Sequence, residues 1–309
     1  MTHQRPFRFG AAVFTAPSRE AWIALAHKVM DLGYTTLSIP DHFQEQLAPF
    51  TALMAVADAI PILRIGSYVF ANDFRHPAVL AKEAATLDLL SGGRFEFGIG
   101  AGWSEPDYTR TGMLFDRPGI RVSRLAEAVP MIKRLFGDDP VTFTGAHYII
   151  KDLVGYPKPL QQPHPPIMIG GNGKRMLSLA GREADIVSLI NDLSGSQLHF
   201  EESSLAAMTQ RVAWVRAAAG ERFDRLEFNT LIWDVMVTND QQQGAEQLAS
   251  KWNLTSAQVL DSIHFLVGTL EQISATSQAR REQLGLSYLT VAVWAMEQLA
   301  PVVARLAGT

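Results

Sequence analysis

The strongest constraint on the fold is a recurrence along the 309-residue chain: a short apolar run, then a stretch whose apolar residues fall at helical spacing. Residues 7–14, 34–39, 62–70, 94–99, 167–169, 184–189, 226–237 and 286–293 read as eight strands, each followed by at least one helix. The Ile65 to Phe70 run is apolar on both faces, as strands in a covered parallel sheet are. Alternating βα units over this length leave two architectures, a closed parallel barrel and a doubly wound open sheet. The residues able to do chemistry follow the second, third, fourth and fifth strands. Scatter over successive strand ends suits a barrel, because an open sheet gathers its site at one switch point. The expectation is an α/β chain folded as a (β/α)8 TIM barrel, one domain over 1–309. It carries an inserted hairpin near 140–150, around Gly145, and a polar, unpatterned loop near 190–202, read as mobile.

Composition removes several function classes. Hydrophobic residues make up 47% and charged residues 19%, enough for a large core and inconsistent with disorder. A net charge of −4 offers no electrostatic footing for nucleic acid or an anionic membrane. The absence of cysteine excludes disulfides, thiolate metal sites and cysteine nucleophiles. The eight histidines, at 3, 27, 42, 76, 147, 164, 199 and 264, show neither HxH nor HExxH spacing, so no metal is expected. No GxSxG elbow is present, which disfavours that type of serine hydrolase. Without a signal-like start or a long apolar run, the chain is expected in the cytoplasm.

Three clusters can carry chemistry. Gly98-Ile99-Gly100-Ala101-Gly102-Trp103 ends the fourth strand. It matches a dinucleotide fingerprint poorly in glycine spacing, and Trp103-Ser104-Glu105-Pro106 does not read as a helix start. It is either a tight turn or a place where bare backbone approaches a flat ring, with Trp103 at its side. Gly170-Gly171-Asn172-Gly173-Lys174-Arg175 follows the fifth strand and precedes a helix. Free amides, the helix dipole and two cations there suit a phosphate, although glycine-rich strand-to-helix turns are common without one. Asp41-His42 follows the second strand: a surface turn, or a cleft pair whose histidine can donate a proton or hydrogen bond near neutral pH.

As an ordered set, Arg75-His76-Pro77, Ala81-Lys82, Ala85-Thr86-Leu87-Asp88, Ser91-Gly92-Gly93-Arg94 and Gly98 to Trp103 resemble the luciferase-like flavin and deazaflavin oxidoreductases. The proline-rich Pro157 to Ile167 run into Gly170-Gly171, and Ala184-Asp185, extend the resemblance. The C-terminal runs 280–285 and 300–308 are similar to a subgroup described as coenzyme F420-dependent oxidoreductases. The resemblance implies an eight-stranded barrel with a non-proline cis peptide at a third-strand bulge, matched here to Ser67-Tyr68. It implies that Asp41 and His42 lie beside the cofactor ring, that Gly100, Ala101, Gly102 and Trp103 contact it, and that Gly170 to Arg175 cradle its phosphate. His42 is then the candidate catalytic residue.

The cofactor so implied is F420, with FMN the alternative. With F420 the reaction is hydride transfer between deazaflavin and a small organic substrate. With FMN it is a monooxygenase reaction of reduced flavin with oxygen. A flavin- or F420-binding protein without turnover is a further reading, as is a phosphate-binding barrel enzyme without flavin. A homodimer, and a separate flavin or F420 reductase, are the expected protein partners. Sugar-phosphate dehydrogenases of the family carry a tryptophan and a glutamate where this chain has Gln46 and Trp103, which counts against glucose 6-phosphate as substrate.

Overall fold

The apolar runs form strands too short to stand alone, and each finds its hydrogen-bonding partner in another βα unit. A computed structural model describes residues 5–193, 195, 197–200 and 202–309. Its strands are β1 (Arg8–Ala12), β2 (Thr36–Ile39), β3 (Arg64–Ser67), β4 (Phe70–Ala71), β5 (Phe95–Gly100), β6 (Val141–Thr144) and β7 (Ile149–Leu153). These are followed by β8 (Ile167–Gly171), β9 (Ile186–Leu189), β10 (Glu227–Ile232), β11 (Asp234–Val237), β12 (Phe265–Gly268) and β13 (Leu286–Ala292). Pairing links β3, β2, β1, β13, β10, β9, β8, β5 and β4 in that order, and β3 also pairs with β5. The strands other than β4 therefore close on themselves, and they are the eight anticipated runs.

The chain divides into two compact units. One comprises Met1–Val13, Leu25–Leu37 and Gly170–Thr309; the other comprises Phe14–Ala24 and Ser38–Ile169. In the second unit β3 and β4 both pair in parallel with β5, and β5 with the start of β8. The helix Pro77–Leu90 begins on a proline whose missing N–H has no helical partner to lose. Arg94, just past its end, donates to the carbonyls of Ala57, Ile60, Leu63 and Ser91 at 2.7, 2.9, 2.7 and 2.6 Å. One guanidinium thus closes the end of the helix Pro49–Ala59 and the turn that launches β5. The inserted hairpin forms as β6 and β7, antiparallel. Its turn is held by the Glu127 carboxylate, which accepts from the amides of Ala146 and His147 at 2.9 Å and of Tyr148 at 3.3 Å.

In the first unit β1, β13, β10 and β9 run parallel. The expected seventh strand is two strands: β10 stays in the main sheet, whereas β11 leaves it at Trp233 to pair with β12. Strand β12 was not anticipated, because its four residues lie between helices whose capping signals dominate the pattern. Thr255 with Gln258 and Thr269 with Gln272 form reciprocal capping boxes at the starts of those helices. Around β11 and β12, Phe200, Leu248, Val259 and Phe265 pack with Trp233 and Trp252. The loop expected near 190–202 falls partly on 194, 196 and 201, which lie outside the described residues. Within it the Asp192 and His199 amides donate to each other's carbonyls at 3.1 and 2.8 Å.

Candidate functional site

Strand β2 delivers Asp41 and His42 at its C-terminal end, and their roles separate at once. Asp41 is 6% exposed. Its carboxylate accepts from Arg75 at 2.6 and 3.3 Å and from the Ala71 amide at 3.2 Å. This bidentate clamp ties the end of β2 to the end of β4. His42 remains accessible, with a fifth of its side chain open (19%). Its Nδ1 lies 2.6 Å from Asp107 Oδ2, and Asp107 Oδ1 accepts from the Phe43 amide at 3.0 Å. The His42 amide donates to Gln46 Oε1 at 2.7 Å, so Gln46 braces the loop. A carboxylate facing Nδ1 can only accept, which puts a proton on Nδ1 and leaves the lone pair of the neutral ring on Nε2. Trp103 meets the His42 ring edge-on at 5.5 Å and 87°. The two therefore stand side by side.

Asp107 is the residue that sequence reasoning missed. It lies in the first turn of the helix Glu105–Thr111, which starts where no helix start was read. Pro106 suits such a first turn, where its missing N–H costs nothing, and Gly112 ends the helix at φ +75°. The available signal was the Ser104-x-x-Asp107 spacing, which resembles a capping box. Tyr108, next in the helix, is buried and donates to Asp73 at 3.2 Å. Burial pushes its phenol well above the ordinary value, and the Asp73 charge adds to this. Asp73 is held in turn by Arg124 at 2.7 and 2.9 Å.

The glycines of β5 make room for protein. A Cβ on Gly98 would stand 2.1 Å from the Ser67 carbonyl oxygen, and one on Gly100 would meet a Val69 methyl at 2.9 Å. Ser67 Oγ donates to the Gly98 carbonyl at 2.8 Å and accepts from its amide at 2.9 Å. The non-proline cis peptide lies between Tyr68 and Val69, one residue beyond the Ser67-Tyr68 match. Gly102 has φ +76°, and a Cβ there would overlap the Tyr108 hydroxyl at 1.9 Å. Tyr68, Val69, Ala101 and Trp103 stay half-buried. Nearby, Phe43 packs on Phe74 at 4.9 Å and Phe115 on Tyr108 at 4.9 Å.

In the first unit, Gly170 and Gly171 close β8, and Gly173 is the N-cap of the helix Lys174–Glu183. No side chain caps that helix, and Lys174 and Arg175 are exposed on its first turn. A helix N-terminus with two cations on its first turn suits an anion. Gly171 is needed for packing, since a Cβ would meet Met176 Cγ at 2.4 Å, whereas a Cβ on Gly173 would enter open space. The second unit thus brings together Asp41, His42, Ser67, Tyr68 and 100–103, and the first holds the 170–175 turn. Among the described residues no group of three His, Cys, Asp or Glu side chains could hold a metal ion. Among them, too, no helix is long and apolar enough to cross a membrane.

A family model described as luciferase-like monooxygenase matches residues 5–287. The chain is 33% identical over 195 residues to the F420-dependent glucose-6-phosphate dehydrogenase of Kineococcus radiotolerans, covering 60% of this chain and 56% of that protein. It is 33% identical over 109 residues to the FMNH(2)-dependent dimethylsulfone monooxygenase of Pseudomonas putida, covering 35% and 30% of the two chains. The chain spans about half the length of the curated relatives it matches. Among solved structures, an F420-dependent secondary alcohol dehydrogenase in complex with an F420-acetone adduct superposes with a TM-score of 0.77 at 18% identity. That match covers 97% of this chain and 99% of the other, and the likeness is one of fold: the luciferase-like (β/α)8 barrel.

Proposed function

Because this chain belongs to the luciferase-like monooxygenase family, we propose that it is an oxidoreductase that uses coenzyme F420 to transfer hydride to or from a small organic substrate. The observation that carries the reading is the His42–Asp107 pair, an oriented acid–base group at a strand end, in a chain whose curated relatives include F420-dependent dehydrogenases. The residues present fit such a cofactor. Tyr68, Val69, Ala101 and Trp103 are half-buried side chains at strand ends that suit a flat ring system. In the first unit taken by itself, the start of the helix Lys174–Glu183, with exposed Lys174 and Arg175, suits a phosphate. When bound, the deazaflavin supplies the hydride chemistry.

The chain's own residues bind, orient and manage the proton. Asp107 holds the His42 ring in one tautomer and so aims Nε2. With Nε2 unprotonated, His42 takes the hydroxyl proton of an alcohol as hydride leaves; protonated, it returns a proton to a carbonyl oxygen in the reverse direction. Trp103 limits rotation of the imidazole from one side. Asp41 acts at one remove, holding β4 against the loop that carries His42.

Titration with F420 and with FMN, each oxidised and reduced and followed by fluorescence, tests the reading. Saturable F420 binding with weak FMN binding is expected. Tight FMN binding with indifference to F420 would replace it by an FMN-dependent monooxygenase, a reading favoured by the dimethylsulfone monooxygenase relative.

A further inference from the structure

The turn after β8 holds the chain's single Asn-Gly pair, Asn172-Gly173. A glycine in second place has no Cβ to shield its backbone nitrogen from the asparagine carboxamide. Among the described residues the Asn172 carboxamide makes no hydrogen bond, and neither does the Gly173 N–H. No bond has to break before the two groups meet. Gly173 is exposed, and a Cβ there would find nothing within 4 Å, so water reaches the turn. The other asparagines are protected. Asn72, Asn191 and Asn229 are buried, and their carboxamides are bonded to Tyr148, Trp233 and Thr290 at 2.9, 3.0 and 2.9 Å. Asn239 and Asn253 are exposed, but Asp240 and Leu254 follow them, and those side chains screen the next nitrogen.

The electrostatics act in the same direction. For the Gly173 nitrogen to attack the carboxamide carbon it must give up its proton, and negative charge develops on it. That nitrogen stands at the N-cap of the helix Lys174–Glu183, with Lys174 and Arg175 in the first turn. The positive end of the helix and the two cations stabilise charge that develops there.

We propose that Asn172 is a site of spontaneous deamidation, which adds a carboxylate to the 170–175 turn over the lifetime of the protein. The Gly173 nitrogen bonds to Asn172 Cγ, the Cγ–Nδ2 bond breaks, and Nδ2 leaves as ammonia with the proton. Water then opens the resulting succinimide at either carbonyl, giving aspartate or isoaspartate. No oxidant or reductant takes part. The consequence for the cofactor rests on the oxidoreductase reading above. The new carboxylate competes with a phosphate for the same helix end, so the affinity for an anionic cofactor declines as the protein ages.

The full-length protein is incubated in mildly alkaline buffer and sampled for peptide mapping by mass spectrometry, which separates the aspartate and isoaspartate products. Conversion at Asn172 is expected to run ahead of conversion at every other asparagine. Gly173→Ala, whose Cβ has room in the fold, should remove most of it by shielding the attacking nitrogen. Asn172→Asp, which carries the charge of the product, should weaken F420 binding about two- to fivefold. Its melting temperature should hold, because a carboxylate beside a helix N-terminus favours the helix. No conversion at Asn172, conversion spread evenly over the exposed asparagines, or an unchanged rate in Gly173→Ala would overturn the modification site. Unchanged F420 affinity in Asn172→Asp would overturn its effect on the cofactor. If the parent protein fails to bind F420 while Asn172 still converts, the cofactor reading falls and the deamidation site stands.

Discussion

His264 should make this protein acid-sensitive in a way one substitution can isolate. The imidazole is fully buried: Nδ1 donates to the Leu231 carbonyl at 2.8 Å and lies 3.2 Å from Thr230 Oγ1, while Nε2 has no partner among the described residues. Burial lowers its pKa from 6.5 to about 3, and the nearby Arg280 and Arg211 charges push the same way. The folded protein thus keeps a neutral imidazole down to about pH 3, whereas the unfolded chain takes up a proton below about 6.5. The associated stability is complete above pH 6.5 and drains away as pH falls from there toward 3. At pH 4.5 the unfolded state has gained about two pH units of protonation, or roughly 3 kcal/mol at 1.36 kcal/mol per unit. Urea unfolding followed by tryptophan fluorescence at pH 7.5 and 4.5, in the parent and in His264→Phe, measures it. The variant carries a pH-independent cost of about 1 kcal/mol, because Leu231 loses its donor. Carboxylate titrations are common to both proteins and cancel. The loss between the two pH values should be smaller in His264→Phe by about 3 kcal/mol. Parallel losses would refute the reasoning, since they would mean that the imidazole is charged in the fold.

Asp107→Asn should lower turnover roughly 10²-fold, in line with general acid–base contributions, while changing F420 affinity less than about threefold. An equal loss in both quantities would assign Asp107 to cofactor binding. Gly98→Ala should abolish soluble expression, since its Cβ would sit 2.1 Å from the Ser67 carbonyl oxygen, whereas Gly173→Ala, with nothing within 4 Å, should melt like the parent. Arg94→Lys should cost about 2–4 kcal/mol in urea unfolding, because an ammonium cannot span four carbonyls set for a guanidinium fork. Lys174→Ala, on an exposed side chain, should leave stability alone and weaken F420 binding about tenfold at low salt, less at high salt.

Much of the fold is legible along the chain, because strand and helix signals are local. The eight runs, the Gly145 hairpin and both capping boxes depend on residues a few positions apart, where periodicity and turn chemistry act. The misreadings have local causes too. Pro106 looked like a break because a proline at a first turn and a proline in a loop share one symbol. Strand β12 is shorter than its flanking signals. In the run 226–237 an apolar pattern continued while the chain changed sheets at Trp233.

The candidate site divides along the same line. Asp41-His42, Gly98 to Trp103 and Gly170 to Arg175 announce themselves by residue type at strand ends, so the sequence alone could nominate them and the barrel that carries them. Their partners could not be nominated. Asp107 reaches His42 across 65 positions, and Arg75 reaches Asp41 across 34. Nor could the sequence say what the β5 glycines are for; the space a Cβ would need is taken by Ser67 and Val69. Periodicity acts over a few residues, whereas hydrogen-bond geometry and excluded volume act between segments that only folding brings together. For that reason the sequence determined which groups are available for chemistry, and tertiary packing decided which of them are free to perform it.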